Sequence, residues 1–247
     1  MVAVAALVGA APVRWLANGW PPTGAVVVAC DIGQGDALVL PDADGSAVVV
    51  GVEMGENHNV DRGDAEPAQA AVDEPAAGAA RVRATALAAT VPVVEVGPGW
   101  TWHNGDIELT ALGPTRTVTG SRSDPNNNSL VLLARVRGIS ILLTGDAEVE
   151  EQADLVHDAG PAALRVDVLK VAHHGSSYQD TALLAATGAR VALVSAGADN
   201  PYGHPNPALL AQLRALGMRI LRTDQHGDVA VVLTGSGLGV VARSGQV

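Results

Sequence analysis

Hydrophobic runs rich in valine and leucine recur along the chain, and short polar turns separate them. The segment "GAVVVACDIGQGDALVLP" contains two such runs joined by "GQGD", and "SAVVVGVEMG" adds a third, so we predict three consecutive strands. Four further strands are predicted at "VPVVEV", "DIELTALG", "SLVLLARV" and "SILLTGD", the last two joined as a hairpin through "RVRG". The first half of the chain is therefore predicted to build sheet.

Strand-like and helix-like segments alternate in the second half of the chain. The pattern predicts helices at "AEVEEQADLVHDAG", "DTALLAATG" and "PALLAQLRALG", and buried strands at "VDVLKVA", "RVALVSAG" and "MRILRTD". A last hairpin is predicted in "DVAVVLTGSGLGVVA". Hairpins followed by strand–helix units predict two mixed sheets covered by helices, in the α+β class.

Two segments interrupt this pattern. Residues 1–22 are apolar, but a proline and an arginine interrupt them before the roughly 20 residues that a membrane helix needs. They fit either the outer end of a membrane helix, with Trp15 and Trp20 at headgroup level, or an ordinary apolar segment. Residues 53–80 are acidic, rich in Ala and Pro and without periodicity, which predicts a linker before a short helix at "ARVRATALAAT". One domain is thus predicted over residues 23–247.

The charge of the chain restricts how it can contact nucleic acid. The net charge is -11 and the pI is near 4.9, so any contact with phosphate must come from a local basic group, backbone amides or bound cations. The single cysteine, Cys30, lies in an apolar run and is interpreted as a small buried hydrophobe. A nucleotide-binding glycine turn would enter a helix, whereas "DIGQGDALVL" enters a strand. The acidity favours a site that uses a cation.

Polar motifs follow three of the predicted strands. Asp146 lies in "LLTGDAE", His173 and His174 in "VAHHGSS", and His204 in "NPYGHPNP". Loops after successive strands can bring carboxylate and imidazole groups to one edge of a sheet, and both groups bind divalent metals. We therefore predict that Asp146 faces the histidine pair across a shared sheet edge.

Each of these residues also has a structural interpretation. Asp146 could cap the helix that begins near "AEVEEQ", and His204 could stabilise a turn. Either histidine of the pair could be held by hydrogen bonds in a purely structural role. Ser176 and Ser177 could cap the next helix, or the amides beside them could bind phosphate.

Four segments in the same order strengthen the metal interpretation. "CDIGQGDALVL", "NNNSLVLLARVRGISILLTGDAEVEEQ", "DVLKVAHHGSSYQD" and "PYGHPNPALLAQLRALG" together resemble the C-terminal metallo-β-lactamase-like domain of the ComEC family of DNA-uptake competence proteins. The resemblance covers roughly residues 25–235. It implies an αββα sandwich with zinc or manganese at the sheet edges, and hydrolysis of DNA phosphodiesters.

The resemblance also assigns roles to individual residues. Asp146 matches a metal-bridging carboxylate and the pair His173 and His174 a late metal ligand, while His204 is a further candidate. Asp146 and His174 would also be the catalytic residues.

Substrate binding and a structural signature complete the implied site. The backbone near Gly175 and Ser176 would bind phosphate, and Asn128 belongs to the polar run that precedes a strand in the family. Asp31 and Asp36 lie in the first signature, whose aspartates can accept hydrogen bonds from the amides of a tight turn.

One family motif is absent from the sequence. Relatives carry an aspartate and glycine after the third strand and then a cluster of the pattern H-x-H/D-x-D-H, whereas this chain has Gly51 in place of the acid and continues into the linker. His58 and Asp61 have the wrong spacing to replace that cluster. The domain is therefore either a metal-dependent phosphodiesterase with few ligands or a degenerate domain that has lost its metal and keeps a binding or structural role. No residues that would orient the ligands can be identified from the sequence.

The expected partners and location follow from the resemblance. The partners would be single-stranded DNA or another phosphodiester, and a membrane channel. The location would be the extracytoplasmic face of a membrane, or the cytoplasm if residues 1–22 do not insert. Nothing in the sequence indicates an oligomeric state.

Overall fold

The computed structural model of the protein describes residues 20–43, 45, 47–50 and 96–244. Most of the apolar segment at 1–22, the linker at 53–80, the helix predicted after it and nearly all of the strand "VPVVEV" lie outside these residues. Within the described part, two sheets and four helices form a mixed α+β structure, which confirms the predicted class. No helix in that part has the length and apolar character needed to cross a membrane.

The smaller sheet contains five strands, which are β1 (Ala25–Ala29), β2 (Leu38–Pro41), β3 (Ala47–Val50), β11 (Val229–Thr234) and β12 (Gly237–Ala242). Their order is β12-β11-β1-β2-β3, and each neighbouring pair is antiparallel. The loop "GQGD" joins β1 to β2, and the last hairpin forms as predicted. The prediction that both sheets are mixed is wrong for this one, because no strand in it runs parallel to a neighbour.

The larger sheet contains seven strands, which are β4 (Thr101–Asn104), β5 (Ile107–Gly113), β6 (Val131–Val136), β7 (Ile139–Leu143), β8 (Val168–Lys170), β9 (Val191–Val194) and β10 (Arg219–Arg222). Their order is β10-β9-β8-β7-β6-β5-β4. Pairing is antiparallel from β4 to β7 and parallel from β7 to β10. Only β4 was not predicted, because "TWHN" is short, polar and mostly exposed.

The four helices are α1 (Val149–Ala163), α2 (Thr181–Thr187), α3 (Pro207–Ala215) and α4 (Thr223–His226). The first three lie where the sequence predicts them. The helix α4 was missed because four residues are too few to show a helical period.

Capping residues set the bounds of α2 and α3. Asp180 accepts a hydrogen bond from the amide of Leu183, and Gly188 ends α2 in the left-handed conformation with φ 53°. Asn206 accepts from the first amides of α3, and Pro207 occupies the first helical position, where no amide hydrogen is needed. The two helices are therefore fixed beside the loops that precede them.

Two hydrophobic cores hold the layers together. Side chains of both sheets, such as Val27, Leu40, Leu109 and Leu193, form one core between the sheets. A second core lies between the larger sheet and α1, α2 and α3, with Leu155 among its residues. The described residues therefore stack in the order smaller sheet, larger sheet, helices.

The helix α1 carries a buried acid, Glu151, on its side that faces the larger sheet. Its Oε2 accepts a hydrogen bond of 3.1 Å from the amide of Ser129, and its Oε1 lies against Gly113, where an added Cβ would come within 2.9 Å. Burial, together with the nearby charge of Asp154, raises the pKa of Glu151 to about 9, although the bond from Ser129 acts in the other direction. The carboxyl group is therefore protonated at neutral pH.

We predict that Glu151→Gln changes how stability depends on pH. The unfolded chain releases this proton near pH 4.5 and the folded chain near pH 9, so stability falls as pH rises through that window. The variant has no such proton to release. As pH rises, its free energy of unfolding relative to that of the parent should therefore increase by up to about 1.4 kcal/mol per pH unit. Urea denaturation at a series of pH values measures this difference.

The matched control is Glu108→Gln on the exposed face of β5. Its effect on stability should be small, because the side chain is exposed. Parallel curves for Glu151→Gln and the parent would contradict a neutral buried acid.

Candidate metal centre

Three parallel strands bring the predicted residues to one sheet edge. β7, β8 and β9 are neighbours that run in the same direction, so their carboxyl ends meet. Asp146 follows β7, His173 and His174 follow β8, and His204 lies on the loop after β9. The geometric prediction drawn from strand order therefore agrees with the structure.

His174 and Asp146 face each other closely. His174 Nε2 lies 3.7 Å from Asp146 Oδ1, and His174 Nδ1 lies 3.0 Å from the carbonyl oxygen of Ser195. A carbonyl can only accept a hydrogen bond, so Nδ1 carries the proton and the metal-binding lone pair is on Nε2. The imidazole is thus held in the tautomer that directs its basic nitrogen towards Asp146.

Asp36, on a loop of the smaller sheet, lies close to these two residues. One ligand atom from each of Asp36, Asp146 and His174 lies within 4.8 Å of the others, a spacing that fits one divalent cation. The loop that carries Asp36 is fixed against the larger sheet by Gln34, whose Oε1 accepts a 3.1 Å hydrogen bond from the amide of Gly197. Both sheets therefore contribute to the site.

A buried lysine lies beside the three residues. Lys170 is the last residue of β8, its side chain is 0% exposed, and its ammonium group forms an ion pair with Asp36 Oδ2. The same group donates a 3.0 Å hydrogen bond to the carbonyl of Gly145. Lys170 was not predicted to belong to the site, although a lysine inside an apolar strand pattern is an available signal of a buried charge.

His173 is oriented by a buried carboxylate. Its Nδ1 lies 3.0 Å from Glu148 Oε1, and Glu148 also accepts hydrogen bonds from Asn126 and Arg122. Asn126 Nδ2 is also near His173 Nδ1, at 3.4 Å, but both cannot donate, and the shorter contact to a carboxylate fixes the proton on Nδ1. The candidate ligands do have partners that orient them, which corrects the expectation from the sequence.

His204 lies next to His173 at the rim. Their ring centroids are 5.3 Å apart, and Tyr202 stacks on the other side of His204 at 5.9 Å. Burial, followed by repulsion from the neighbouring histidines, lowers the pKa of His204 to about 4, so its ring is neutral at neutral pH. Its Nδ1 is buried and has no hydrogen-bond partner among the described residues. The turn is held by the Asn200 side chain, which bonds to the backbone of His204, and not by the His204 imidazole.

The helix-capping alternatives are wrong for Asp146 and the serines. The helix α1 begins at Val149, with Glu148 at the position before it, while Asp180 caps α2. Ser176 Oγ instead accepts a 3.3 Å hydrogen bond from the amide of Tyr178.

The residues predicted to bind substrate are engaged within the protein. The amides of Gly175 and Ser176 donate to the carbonyls of Ala172 and His173. The Asn128 side chain is held by the backbone of Val118 and Asp124. These bonds shape the loops around the site, and substrate binding by Asn128, Gly175 and Ser176 stays a prediction.

Asp31 accepts a hydrogen bond within its turn, and Cys30 is half-buried instead of fully buried as the sequence indicates. Asp31 Oδ1 accepts a 3.3 Å hydrogen bond from the amide of Gly33 inside the "GQGD" loop, and the amide of Asp31 donates to Asp228. Burial raises the pKa of the Cys30 thiol to about 11, so the thiol is protonated at neutral pH. Asp36 differs from Asp31, because its carboxylate turns inward to Lys170.

Comparison with known proteins finds homologues of the chain. The chain is 32% identical to ComE operon protein 3 of Bacillus subtilis (strain 168) over 199 residues. It is 33% identical to competence protein ComA of Neisseria gonorrhoeae over 129 residues. The chain is homologous to the ComEC family of DNA-uptake proteins.

This homology confirms the resemblance seen in the sequence. Recombination protein 2 of Haemophilus influenzae (strain ATCC 51907 / DSM 11121 / KW20 / Rd) is a further ComEC-family relative, 33% identical over 134 residues. The matches cover 80%, 52% and 54% of this chain but only 24%, 18% and 16% of the respective relatives, so the chain spans about a quarter or less of their length. No model of a protein family matches the chain.

The histidine loop of this chain has an unusual backbone. His173, His174 and Gly175 have consecutive positive φ angles of 47°, 53° and 81°. An added Cβ on Gly175 would lie 2.6 Å from Pro205 Cβ, and the carbonyl of Gly175 accepts a 2.7 Å hydrogen bond from the amide of Asn206. The conformation that presents both imidazoles therefore depends on a glycine at 175.

We predict that Gly175→Ala destabilises the protein more than Gly203→Ala does. Gly203 also has a positive φ, of 70°, but an added Cβ there meets nothing within 4 Å. Both variants should lose about 1–2 kcal/mol from the left-handed backbone. Only Gly175→Ala should lose a further 1–3 kcal/mol, roughly, from contact with Pro205.

Chemical denaturation of the two variants gives this comparison. Equal losses would show that Pro205 moves away without cost and that the loop is not closely packed.

Proposed function

We propose that the described part of the chain is an αββα metallo-β-lactamase-like domain that hydrolyses DNA phosphodiesters with a bound metal ion. The observation that carries the proposal is the pairing of His174 Nε2 with the Asp146 carboxylate at 3.7 Å, in the tautomer that suits a metal. The face-to-face sheets with helices outside the larger one support the fold. Homology to the ComEC family supports DNA as the substrate.

The donor set fits zinc or manganese. Imidazole nitrogen and carboxylate oxygen are ligands of both ions, and His174 already has the hydrogen-bonded partner that metal-binding histidines usually have. Asp146 and His174 would hold the ion, with His173 and His204 as further ligands at the rim. When bound, such an ion lowers the pKa of a water molecule and offsets the charge of a phosphate.

The surrounding residues account for contact with an anionic substrate. The net charge of -11 repels DNA from the surface as a whole, so the cation and a local basic group must attract the phosphate. Arg122 is such a group, since its side chain is 45% exposed and lies 3.6 Å above the ring of Tyr178 beside Glu148. We take single-stranded DNA as the partner. A membrane channel and a location on the extracytoplasmic face stay predictions from the family.

The second candidate function is a domain without catalysis that keeps a binding or structural role. The absence of the H-x-H/D-x-D-H motif from the sequence favours it. The two candidates differ in whether the protein binds metal and turns over DNA.

The test compares the parent protein with Asp146→Asn. After dialysis against manganese or zinc, elemental mass spectrometry should find about one equivalent of metal per chain in the parent and at least tenfold less in the variant. Cleavage of an end-labelled single strand should require the metal and fall by two orders of magnitude or more, roughly, in the variant.

The matched control is Asp158→Asn, which changes an aspartate on the exposed surface of α1 beside His157. It should leave metal content and cleavage unchanged. Metal binding without cleavage would favour the non-catalytic function, and a parent protein without metal would contradict the proposed hydrolase.

A further inference from the structure

The use of lysine in this chain is unusual. Of its 15 basic residues other than histidine, 14 are arginine and one, Lys170, is lysine. This one lysine is fully buried and ends the strand that leads into the histidine loop. A compact ammonium group fits between Asp36 and the carbonyl of Gly145, where a planar guanidinium would need more room.

We propose that Lys170 is a built-in counter-cation that engages Asp36 and sets the affinity of the site for a divalent ion, which Asp146 and His174 then bind. This inference rests on the metal binding proposed above. It assigns Lys170 as a positioning residue and removes Asp36 from direct ligation.

The tautomer of His174 gives Asp36 and Asp146 different roles. Asp146 lies on the Nε2 side of the ring, where the metal-binding lone pair is. Asp36 Oδ1 lies 3.7 Å from Nδ1, whose hydrogen is donated to Ser195, and Asp36 Oδ2 is paired with Lys170. The spacing of the three residues, and an Asp36 Oδ1 that has no hydrogen-bond partner among the described residues, would also allow Asp36 to bind the ion, but Lys170 offsets the charge of its carboxylate.

The charges of the site support the same assignment of roles to Asp36, Asp146 and Lys170. A metal-bound imidazole is neutral, so Asp36, Asp146 and Lys170 together carry one net negative charge, and removing the lysine would leave two. Buried charges are little screened by solvent or salt, so this difference acts strongly on a nearby cation. Lys170 therefore lowers the attraction of the pocket for a metal, and Asp36 keeps Lys170 in place.

Calorimetric titration of Mn²⁺ into chelator-treated protein tests this assignment with three variants. Lys170→Met should bind Mn²⁺ about 10–100-fold more tightly than the parent, because the net charge of the three groups then changes from one negative to two. Asp36→Asn should bind about tenfold more weakly, because that net charge then rises to zero. The double variant loses both charges and should return to within a few-fold of the parent.

A spectroscopic readout uses the fact that the sequence contains one lysine. Protein labelled with ¹⁵N at the lysine side chain should give one slowly exchanging ammonium signal, and substoichiometric Mn²⁺ should broaden it because the ion binds nearby. Asp36→Asn should shift this signal or speed its exchange with water. A lysine remote from the metal would not be broadened.

Three results would overturn the inference. Weaker or unchanged Mn²⁺ binding by Lys170→Met, with correct folding shown by circular dichroism, would make Lys170 purely structural and Asp36 a ligand. If Lys170→Met does not fold, the double variant, which buries no unpaired charge, takes its place, and a loss of binding above tenfold there has the same meaning. An ammonium signal that Mn²⁺ does not affect would also exclude the assignment.

The outcome separates this inference from the proposed function. If the parent binds Mn²⁺ and Lys170→Met binds it equally well, only the counter-cation role is contradicted. If the parent does not bind Mn²⁺ but Lys170→Met does, the metal-dependent hydrolase is contradicted and the counter-cation role is supported. No binding by either protein contradicts both.

Discussion

The ion pair between Lys170 and Asp36 is the contact on which the arrangement of the site depends. It joins the end of a strand in the larger sheet to a loop of the smaller sheet, and it is shielded from solvent. Breaking a buried pair leaves an uncompensated charge, which costs about 3–5 kcal/mol. Because the same ammonium also binds the carbonyl of Gly145, it fixes the loop that carries Asp146.

Hydrogen bonds around this pair determine which nitrogen of each histidine is basic. The carbonyl of Ser195 accepts a hydrogen bond from His174 Nδ1, and the carboxylate of Glu148 accepts one from His173 Nδ1. Each imidazole is thus held by its Nδ1 side. The positive φ angles of the loop have an energetic cost, and these bonds together with the contact between Gly175 and Pro205 maintain them.

The sequence predicts every described strand except β4, the three longer helices and the meeting of Asp146 with the histidines, because periodicity and strand order are local signals. It does not reveal the partners of Lys170 and Glu148. Both side chains are buried, and their partners lie far away in the chain, so only the folded structure shows what neutralises them. Asp36 was interpreted as a turn residue for the same reason. Its loop does resemble a tight turn, but the carboxylate points into the protein.

A site assembled from two sheets is sensitive to how those sheets slide against each other. Asp36 comes from one sheet, and Asp146 and His174 come from the other. The core residues between the sheets therefore set the distances between these three side chains. A substitution at a core residue such as Leu40 can therefore change the distances between Asp36 and the other two residues by shifting one sheet relative to the other. Hydrophobic side chains alone could thus tune the geometry of this cluster in the course of evolution.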